Sequence, residues 1–501
     1  MDLTIKEIAC ACGGTLFQQG TTEDMQISGL ELDSRKVAEG GVFLATVGER
    51  VDGHQFILDV FQKGVSLVIC EKSPEQVEAE HGLHAKSWGS YLLVKDCFQA
   101  LKDIAEYYRS KLQIPVVGIT GSVGKTSTKE FIATVLGEHF SVLKTEGNYN
   151  NEVGVPLTLL RIRREHQAAV IEMGISDFGE MHRLSKMVRP SICVITNIGQ
   201  CHLENLGSRD GILKAKTEIF DFMQEDGEIC LNGDDDKLAT VTEVRGKKTH
   251  FFGLGRNGAE EVYADGIVSK GLWGSDAMLH MEPGRPEQDL QINVPLPGVH
   301  MVANAAAAAC VAKLLGLSMQ EITEGIAKVQ AVGGRTHLIR LPGYTVIDDC
   351  YNANPVSMKA AIDLLVMART DDAAATGQRG TEAERIAILG DMFELGEHSD
   401  ALHGDVGRHA VKSGIEKIIC VGENSRHMYE AAVSAGKDKS DERNDACTIL
   451  YFANREQLLQ ALTERTEELL PKGSTILVKA SHGMGFAEVV ERLTQNILSC
   501  F

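Results

Sequence analysis

Gly118-Ile119-Thr120-Gly121-Ser122-Val123-Gly124-Lys125-Thr126-Ser127 stands between an apolar run, residues 115–120, and a stretch with helical periodicity. A buried strand that enters a glycine-rich turn and then a helix can wrap backbone amides around phosphate oxygens, with the positive end of the helix behind them. Lys125 then reaches the terminal phosphates and the Thr126 hydroxyl can ligate magnesium. The strict GxxxxGK[ST] spacing wants glycine at 119, where Ile119 stands; glycines fall instead at 118, 121 and 124. A glycine turn with an incidental lysine is the bland alternative, and the strand and helix around it weigh against that. Gly121, Ser122, Val123, Gly124, Lys125, Thr126 and Ser127 are therefore the nucleotide-binding candidates. No Asn-Lys-x-Asp element follows a later strand, which favours ATP over GTP.

Outward from this turn, strand-like runs at 168–172, 191–197 and 228–232 alternate with helical patterns at 179–187 and 211–223, the βαβ rhythm of a mostly parallel sheet. Upstream, a helix is expected over 99–111, and residues 1–95 read as a small α/β domain with strands near 41–47 and 65–70 and little sustained helical period. Downstream, 250–295 loses the rhythm and reads as a peripheral antiparallel section or surface loops. The alanine-rich 302–315 is expected to be a helix buried on most sides. Gly333-Gly334 suggests a hinge. Strands at 344–348, 386–389, 417–421 and 475–479 with helices at 356–368, 402–413 and 486–495 then indicate a second nucleotide-fold-like α/β domain. The polar stretches 371–384 and 436–444 read as mobile loops. The expected fold is thus α/β in three domains: 1–95, a central P-loop domain 96–333, and a Rossmann-like domain 334–501.

The chain has 501 residues, with 50 Lys+Arg against 70 Asp+Glu, a net charge of −20 and 43% hydrophobic residues. That balance supports real cores, and its field repels a phosphate backbone, so generic nucleic-acid binding is not expected. The richest apolar run, 301–317, is interrupted by Asn304 and Lys313, short of a membrane span. Residues 2–12 carry Asp2, Lys6 and Glu7 where a secretory signal needs an apolar core. Twelve cysteines without a CxxC pair fit reduced thiols, and Cys10 with Cys12 is too weak a pair to suggest metal. A cytosolic protein, a monomer with small-molecule partners, is the expectation.

Gly147-Asn148-Tyr149-Asn150-Asn151, Asn197-Ile198-Gly199-Gln200-Cys201-His202-Leu203-Glu204, Asp348-Asp349-Cys350-Tyr351-Asn352-Ala353-Asn354-Pro355 and Gly390-Asp391-Met392-Phe393-Glu394-Leu395-Gly396 carry the most specific signal. With Glu172, Lys216 and the glycine turn they resemble the Mur ligase family over nearly the whole chain. Within it they are most similar to the branch that adds D-alanyl-D-alanine to a UDP-N-acetylmuramoyl-tripeptide. Asp33-Ser34-Arg35 and Asp52-Gly53-His54 resemble the UDP-binding domain shared with the tripeptide-forming branch.

The resemblance implies Thr126 and Glu172 as magnesium ligands, His202 at a second magnesium site, and Lys216 as the lysine the family modifies to a carbamate. The bland reading of Lys216 is a helix lysine facing solvent, with Lys214 beside it as a decoy. It also implies Asn304 on adenine, Arg335 near the γ-phosphate and Asp349 on the ribose; by residue type alone these would be an amide cap, a surface ion pair and a turn aspartate. Ser34, Arg35, Asp52, Gly53, His54, Asn148, Asn150, Asn151, Asn352 and Asn354 follow as substrate-binding candidates, and the 482–485 turn as a possible anion cradle. The implied reaction is ATP-dependent ligation through an acyl phosphate in cytoplasmic peptidoglycan precursor synthesis, with Lys125, His202, Lys216 and Arg335 in the catalytic set. Two rivals remain: a folylpolyglutamate-synthetase-like ligase, which lacks such a first domain, and a non-catalytic ATP-driven switch.

Overall fold

The computed structural model describes residues 1–48, 51–255, 260–376, 384–439 and 447–499. The chain divides into two compact units. One holds Met1–Thr120, His139–Val194 and Ala215–Ile229; the other holds Gly121–Glu138, Ile195–Lys214 and Cys230–Phe501.

In the first unit, the N-terminal sheet runs in the order Thr15–Phe17, Tyr91–Leu93, Leu67–Cys70, Val42–Ala45, Leu30–Glu31, parallel except for the first pair. Val42–Ala45 and Leu67–Cys70 are buried at every position, as continuous apolar strands covered on both faces must be. Among the helices that escaped the sequence reading are Ile5–Cys12 and Pro74–His81. Each is only about two turns, too short for hydrophobic period to register. Their caps held the signal: Thr4 with Glu7, and Ser73 with Gln76 before a proline, both form reciprocal capping boxes. The helix expected over 99–111 is Cys97–Ser110. From it the buried Arg109 guanidinium donates to the carbonyls of Val188, Leu112 and Arg189, closing the end of helix Glu180–Val188. Val116–Thr120, Ala168–Glu172 and Val142–Lys144 pair in parallel, as the βαβ rhythm required.

In the second unit, helix Lys125–Leu136 packs on the alanine-rich helix Val299–Leu314, whose alanines from Ala305 onward are buried. The 250–295 region is strand rather than loop: Glu260–Ser269, Ser275–His280 and Asp289–Val294 pair antiparallel, while Lys247–Leu254 joins Glu260–Ser269 in parallel. The turn Gly271–Trp273 carries Leu272 into a cluster with Ile347, Met358, Ile362 and Leu365 from the C-terminal α/β body, and the Arg340 guanidinium lies 3.6 Å over the Trp273 ring.

That C-terminal body is a six-stranded sheet, His337–Leu341, Tyr344–Asp348, Thr475–Lys479, Arg385–Gly390, Lys417–Val421, Thr448–Phe452, parallel but for its first pair. Alternate residues sort to two cores: Ile347, Ala387, Leu389, Ile418 and Leu477 face one, and Val346, Ile386, Ile388, Ile419 and Ile476 the other. Helices Pro355–Thr376 and Ser425–Lys439 run on into the stretches expected to be loops from 371 and 436, because nothing there breaks a helix before 376 or 439. The remainder of those two expectations, 377–383 and 440–446, lies outside the described residues. Strands His337–Leu341 and Thr448–Phe452 and helices Ser425–Lys439 and Arg455–Glu464 were not anticipated. Every described cysteine is a free thiol, and no described helix is long and apolar enough to cross a membrane.

Candidate active site

The glycine turn is braced from the strand end beside it. The Ser122 and Val123 amides donate to the backbone carbonyl and side-chain oxygen of Asn197, at 3.0 and 2.9 Å. Asn197 Nδ2 and Thr196 Oγ1 donate back to the Val123 carbonyl at 2.9 and 2.6 Å. Gly121 has φ +150°, and a Cβ there would come within 2.0 Å of Thr196 Oγ1, so only glycine lets the turn close on its brace. Gly124, φ +83°, opens helix Lys125–Leu136, whose first turn has no side-chain cap, as an anion-accepting helix end requires. Lys125 Nζ donates to the Gly121 carbonyl at 2.9 Å, folded over its own loop. Thr126 is buried and Ser127 half-buried at the helix start. Thr128 Oγ1 donates to Asn304 Oδ1 at 2.9 Å, which fixes Asn304 against the same helix.

In the first unit, Glu172 ends its strand 1% exposed. Asn150 Nδ2 donates to its carboxylate at 2.9 Å, and Asn150 in turn accepts the Gly174 amide on its backbone carbonyl. Asn151 accepts the Val153 and Gly154 amides ahead of helix Gly154–Leu160, a turn-forming role, and Asn148 is exposed. Of the three asparagines, the structure brings Asn150 to Glu172.

Lys216 is 1% exposed, among the largest buried side chains of the chain, while Lys214 on the same helix is exposed. The solvent-facing reading thus applies to Lys214 alone. A carbamate on Lys216 would be an oxygen ligand suited to a hard cation, which an ammonium is not. The Thr126 hydroxyl and the Glu172 carboxylate are each oxygen donors of the kind a hard cation such as magnesium takes.

His202 takes φ +51° and places Nδ1 2.6 Å from the carboxylate of Glu394, itself at φ +62°. The approach departs from the ring N–H line, and Nδ1 is shielded from solvent with no aligned hydrogen-bond partner. Contact with His202 holds the Glu394 carboxyl below its usual range, against burial. Gly396 lies against Glu204 in the same pair of loops.

Arg335 stacks its guanidinium 4.0 Å over the Tyr351 ring, which tilts against His482 at 5.4 Å. Asp349 accepts Lys479 Nζ at 2.6 Å on one oxygen and the Thr336 amide at 3.0 Å on the other. Asn354 accepts the Ser357 amide and opens helix Pro355–Thr376, a cap; Asn352 is exposed, and its backbone carbonyl accepts from Lys479. Gly334, φ +73°, donates to Asp348 and accepts from Tyr351. Gly333 has open space around it.

Among the N-terminal candidates, Arg35 forms two bonds to Asp33, at 2.9 and 2.8 Å, and is exposed; the Ser34 carbonyl accepts Lys63. Asp52 receives the buried His54 ring at 2.6 Å, Lys72 at 2.8 Å and His81 at 3.1 Å. Burial alone would raise its carboxyl, but Lys72, the His54 amide and ring, and His81 together hold it well below the ordinary carboxylate range. The Glu71 amide donates to His54 Nε2, so Nδ1 carries the proton to Asp52. Gly53 presses on strand Val42–Ala45, its amide donating to Thr46 at 2.8 Å. Asp52, Glu80 and His81 lie close enough to hold a cation, but the Lys72 ammonium already bridges the two carboxylates at 2.8 and 2.5 Å.

Sequence reasoning passed over Thr196, Asn197, Tyr351, Lys479 and Glu394. Asn197, Tyr351 and Glu394 stood inside the quoted motifs; Lys479 ends an anticipated strand and could have been found as a lysine in an apolar run.

Three domain descriptions match the chain: the Mur ligase family, catalytic domain over residues 26–109, the Mur ligase middle domain over 119–312 and the Mur ligase, glutamate ligase domain over 334–482. The UDP-N-acetylmuramoyl-tripeptide--D-alanyl-D-alanine ligase of Bacillus subtilis (strain 168) is 34% identical over 497 residues, 99% of both chains. A crystal structure of MurF from Acinetobacter baumannii superposes with a TM-score of 0.82 at 31% identity, covering 99% of both chains. MurF ligase from Thermotoga maritima, solved in complex with ADP, gives 0.74 at 26% identity over 94% of this chain and 98% of that one.

Proposed function

The chain belongs to the Mur ligase family, with its three-domain α/β fold, and on that premise we infer that it is an ATP-dependent amide ligase joining D-alanyl-D-alanine to a UDP-N-acetylmuramoyl-tripeptide. What carries the reading is end-to-end likeness to a ligase of that name, at 34% identity across 99% of the chain. A folylpolyglutamate-synthetase-like ligase would lack the counterpart of the N-terminal sheet that this likeness includes.

A carboxylate is a poor acyl donor because its leaving group would be oxide. Transfer of the γ-phosphoryl group from ATP to the tripeptide carboxylate releases ADP and gives an acyl phosphate. The dipeptide amine attacks that carbonyl, loses a proton and expels phosphate. Lys125, on a loop already shaped by Asn197 and Thr196, swings from the Gly121 carbonyl to neutralise charge on the transferring group. Arg335 approaches the γ-phosphate. Asn304 meets adenine with the edge that Thr128 leaves it, and Asp349 shares a carboxylate already steadied by Lys479 with the ribose. Thr126 and Glu172 would hold magnesium, with His202 at a second position and a carbamate on Lys216; the ion would supply positive charge that lowers the repulsion between the acceptor carboxylate and the phosphates. Its oxygen donors and the burial of Lys216 support that assignment.

The domain limits 1–95, 96–333 and 334–501, a cytoplasmic monomer without nucleic-acid partners, and UDP-sugar contacts from Ser34, Arg35, Asp52, Gly53 and His54 complete the reading. Contacts of Asn148, Asn150, Asn151, Asn352 and Asn354 with substrate are part of it, with Asn150 acting beside Glu172. The Gly333-Gly334 hinge is retained with Gly333 as its free member, since Gly334 needs its left-handed φ and is hydrogen-bonded on both sides. The test is release of ADP and phosphate in equal amounts only when ATP, UDP-tripeptide and dipeptide are all present. Nucleotide binding without turnover under those conditions would instead favour the switch.

A further inference from the structure

Glu394 and His202 come from distant parts of the sequence. His202 leads the turn Leu203–Leu206, and Glu394 follows strand Arg385–Gly390 of the C-terminal sheet. Both are non-glycine residues in left-handed backbone, φ +51° and +62°, a conformation that L side chains disfavour. Their flanks hold them there. The His202 carbonyl accepts the Asn205 and Leu206 amides, while the Phe393 amide donates to Ser481 Oγ and the Ser481 amide to the Asp391 carbonyl. The outcome is one contact, Glu394 carboxylate to His202 Nδ1 at 2.6 Å, off the N–H line as it stands, at a nitrogen sealed from solvent that no described group hydrogen-bonds. Glu394 itself is 59% exposed, so packing does not explain its placement.

We propose that Glu394 is a positioning residue for His202: a modest turn of the ring aligns Nδ1–H with its carboxylate, which accepts that hydrogen bond and leaves Nε2 as the bare nitrogen presented to a divalent cation. An imidazole has two nitrogens, and a partner that accepts from one decides which tautomer exists and makes the other a better ligand. Because Glu394 rides on the C-terminal sheet, the readiness of His202 depends on where that sheet's 391–396 loop stands. The metal-facing part of the proposal rests on the assignment of His202 to a magnesium position; the tautomer part does not.

The full-length protein labelled with 15N-histidine, free of metal, tests the tautomer. The His202 signals, assigned by their loss in His202→Asn, are expected to show a protonated Nδ1 and a bare Nε2. Glu394→Ala should lose that bias and Glu394→Gln, whose amide oxygen still accepts from Nδ1, should keep it. Manganese titration of the ADP-bound protein, read by electron paramagnetic resonance, tests the consequence. Glu394→Ala should weaken the His202-dependent ion by about 10–100-fold, and Glu394→Gln by less. An unchanged tautomer in Glu394→Ala overturns the proposal. So does unchanged manganese affinity in Glu394→Ala when His202→Asn weakens it. If His202→Asn leaves manganese binding unaffected, it is the assignment of His202 to metal that fails, and the presentation of Nε2 to a cation falls with it. Thermal melts of all three variants, expected close to the parent at the exposed Glu394, separate these results from misfolding.

Discussion

The turns at 121–125 and 52–54 each press a glycine against a neighbouring strand segment and each carry a charged residue, yet the two charges end in different company. Around Lys125 the bracing is done by others: Asn197 and Thr196 hold the loop, and among the described residues the lysine hydrogen-bonds only the Gly121 carbonyl. Around Asp52 the charge is itself the brace, gripped by His54, Lys72 and His81. A group whose scaffold is independent of it can be removed without disturbing the fold; a group that is the scaffold cannot. Function and stability should therefore separate cleanly in the first turn and mix in the second.

The largest effect that would break this contrast is at Lys125. Lys125→Ala should lose on the order of a thousandfold or more in ligation rate while its melting temperature stays within about 2 °C of the parent. A steady-state ADP assay beside a thermal melt decides it; near-normal turnover removes the loop from the reaction.

The pair Lys216 and Lys214 sharpens the same point within one helix. Lys216→Ala should fall by on the order of a hundredfold, with partial recovery in acetate, whose carboxylate can stand in for the lost oxygen ligand. Lys214→Ala, on the exposed face, should stay within about twofold, as surface changes do. Rates with and without acetate are the measurement, and an active enzyme bearing only free amine at 216 by mass would count against the carbamate.

The smallest effect on turnover, and the largest on folding, belongs to Asp52. Asp52→Ala strips the buried His54 of its acceptor and should cost about 1–3 kcal/mol in urea unfolding, with the Michaelis constant for the UDP-peptide raised and that for ATP unchanged. Its carboxyl is depressed in the folded state, so its contribution is present above the unfolded pKa of about 4 and disappears as pH falls from there through the folded value. The gap between parent and variant should hold at neutral pH and close in acid.

The βα rhythm was legible because the strands at 168–172, 228–232 and 344–348 each hold at least three consecutive buried positions, and covered strands announce themselves by composition. The helices Ile5–Cys12 and Pro74–His81 were not, since their signal lay in caps rather than in period. Within the site, residue types and positions were readable from motifs, but partnership was not. Nothing in the order of residues tells that Glu394 meets His202, that Asn354 is spent on a helix cap, or that of two lysines two apart one is buried. Those depend on how separate elements meet, which local pattern does not encode.

Leu272, inserted among Ile347, Met358 and Ile362, gives the C-terminal body a second anchorage besides the chain at Gly333. A solid joined at one point can turn about three axes; joined at two, it keeps a single rotation, about the line through both. If the proposed Gly333 hinge opens the His202–Glu394 contact, the swing left to that body is an arc rather than a tumble, and the groups it carries return along it. The Glu394 carboxylate would retrace one trajectory toward His202, so that arrival in register needs no search over orientations. Replacing Leu272 with a small residue would release the second joint, and the loss would appear as a wider spread of positions rather than a change in any one of them.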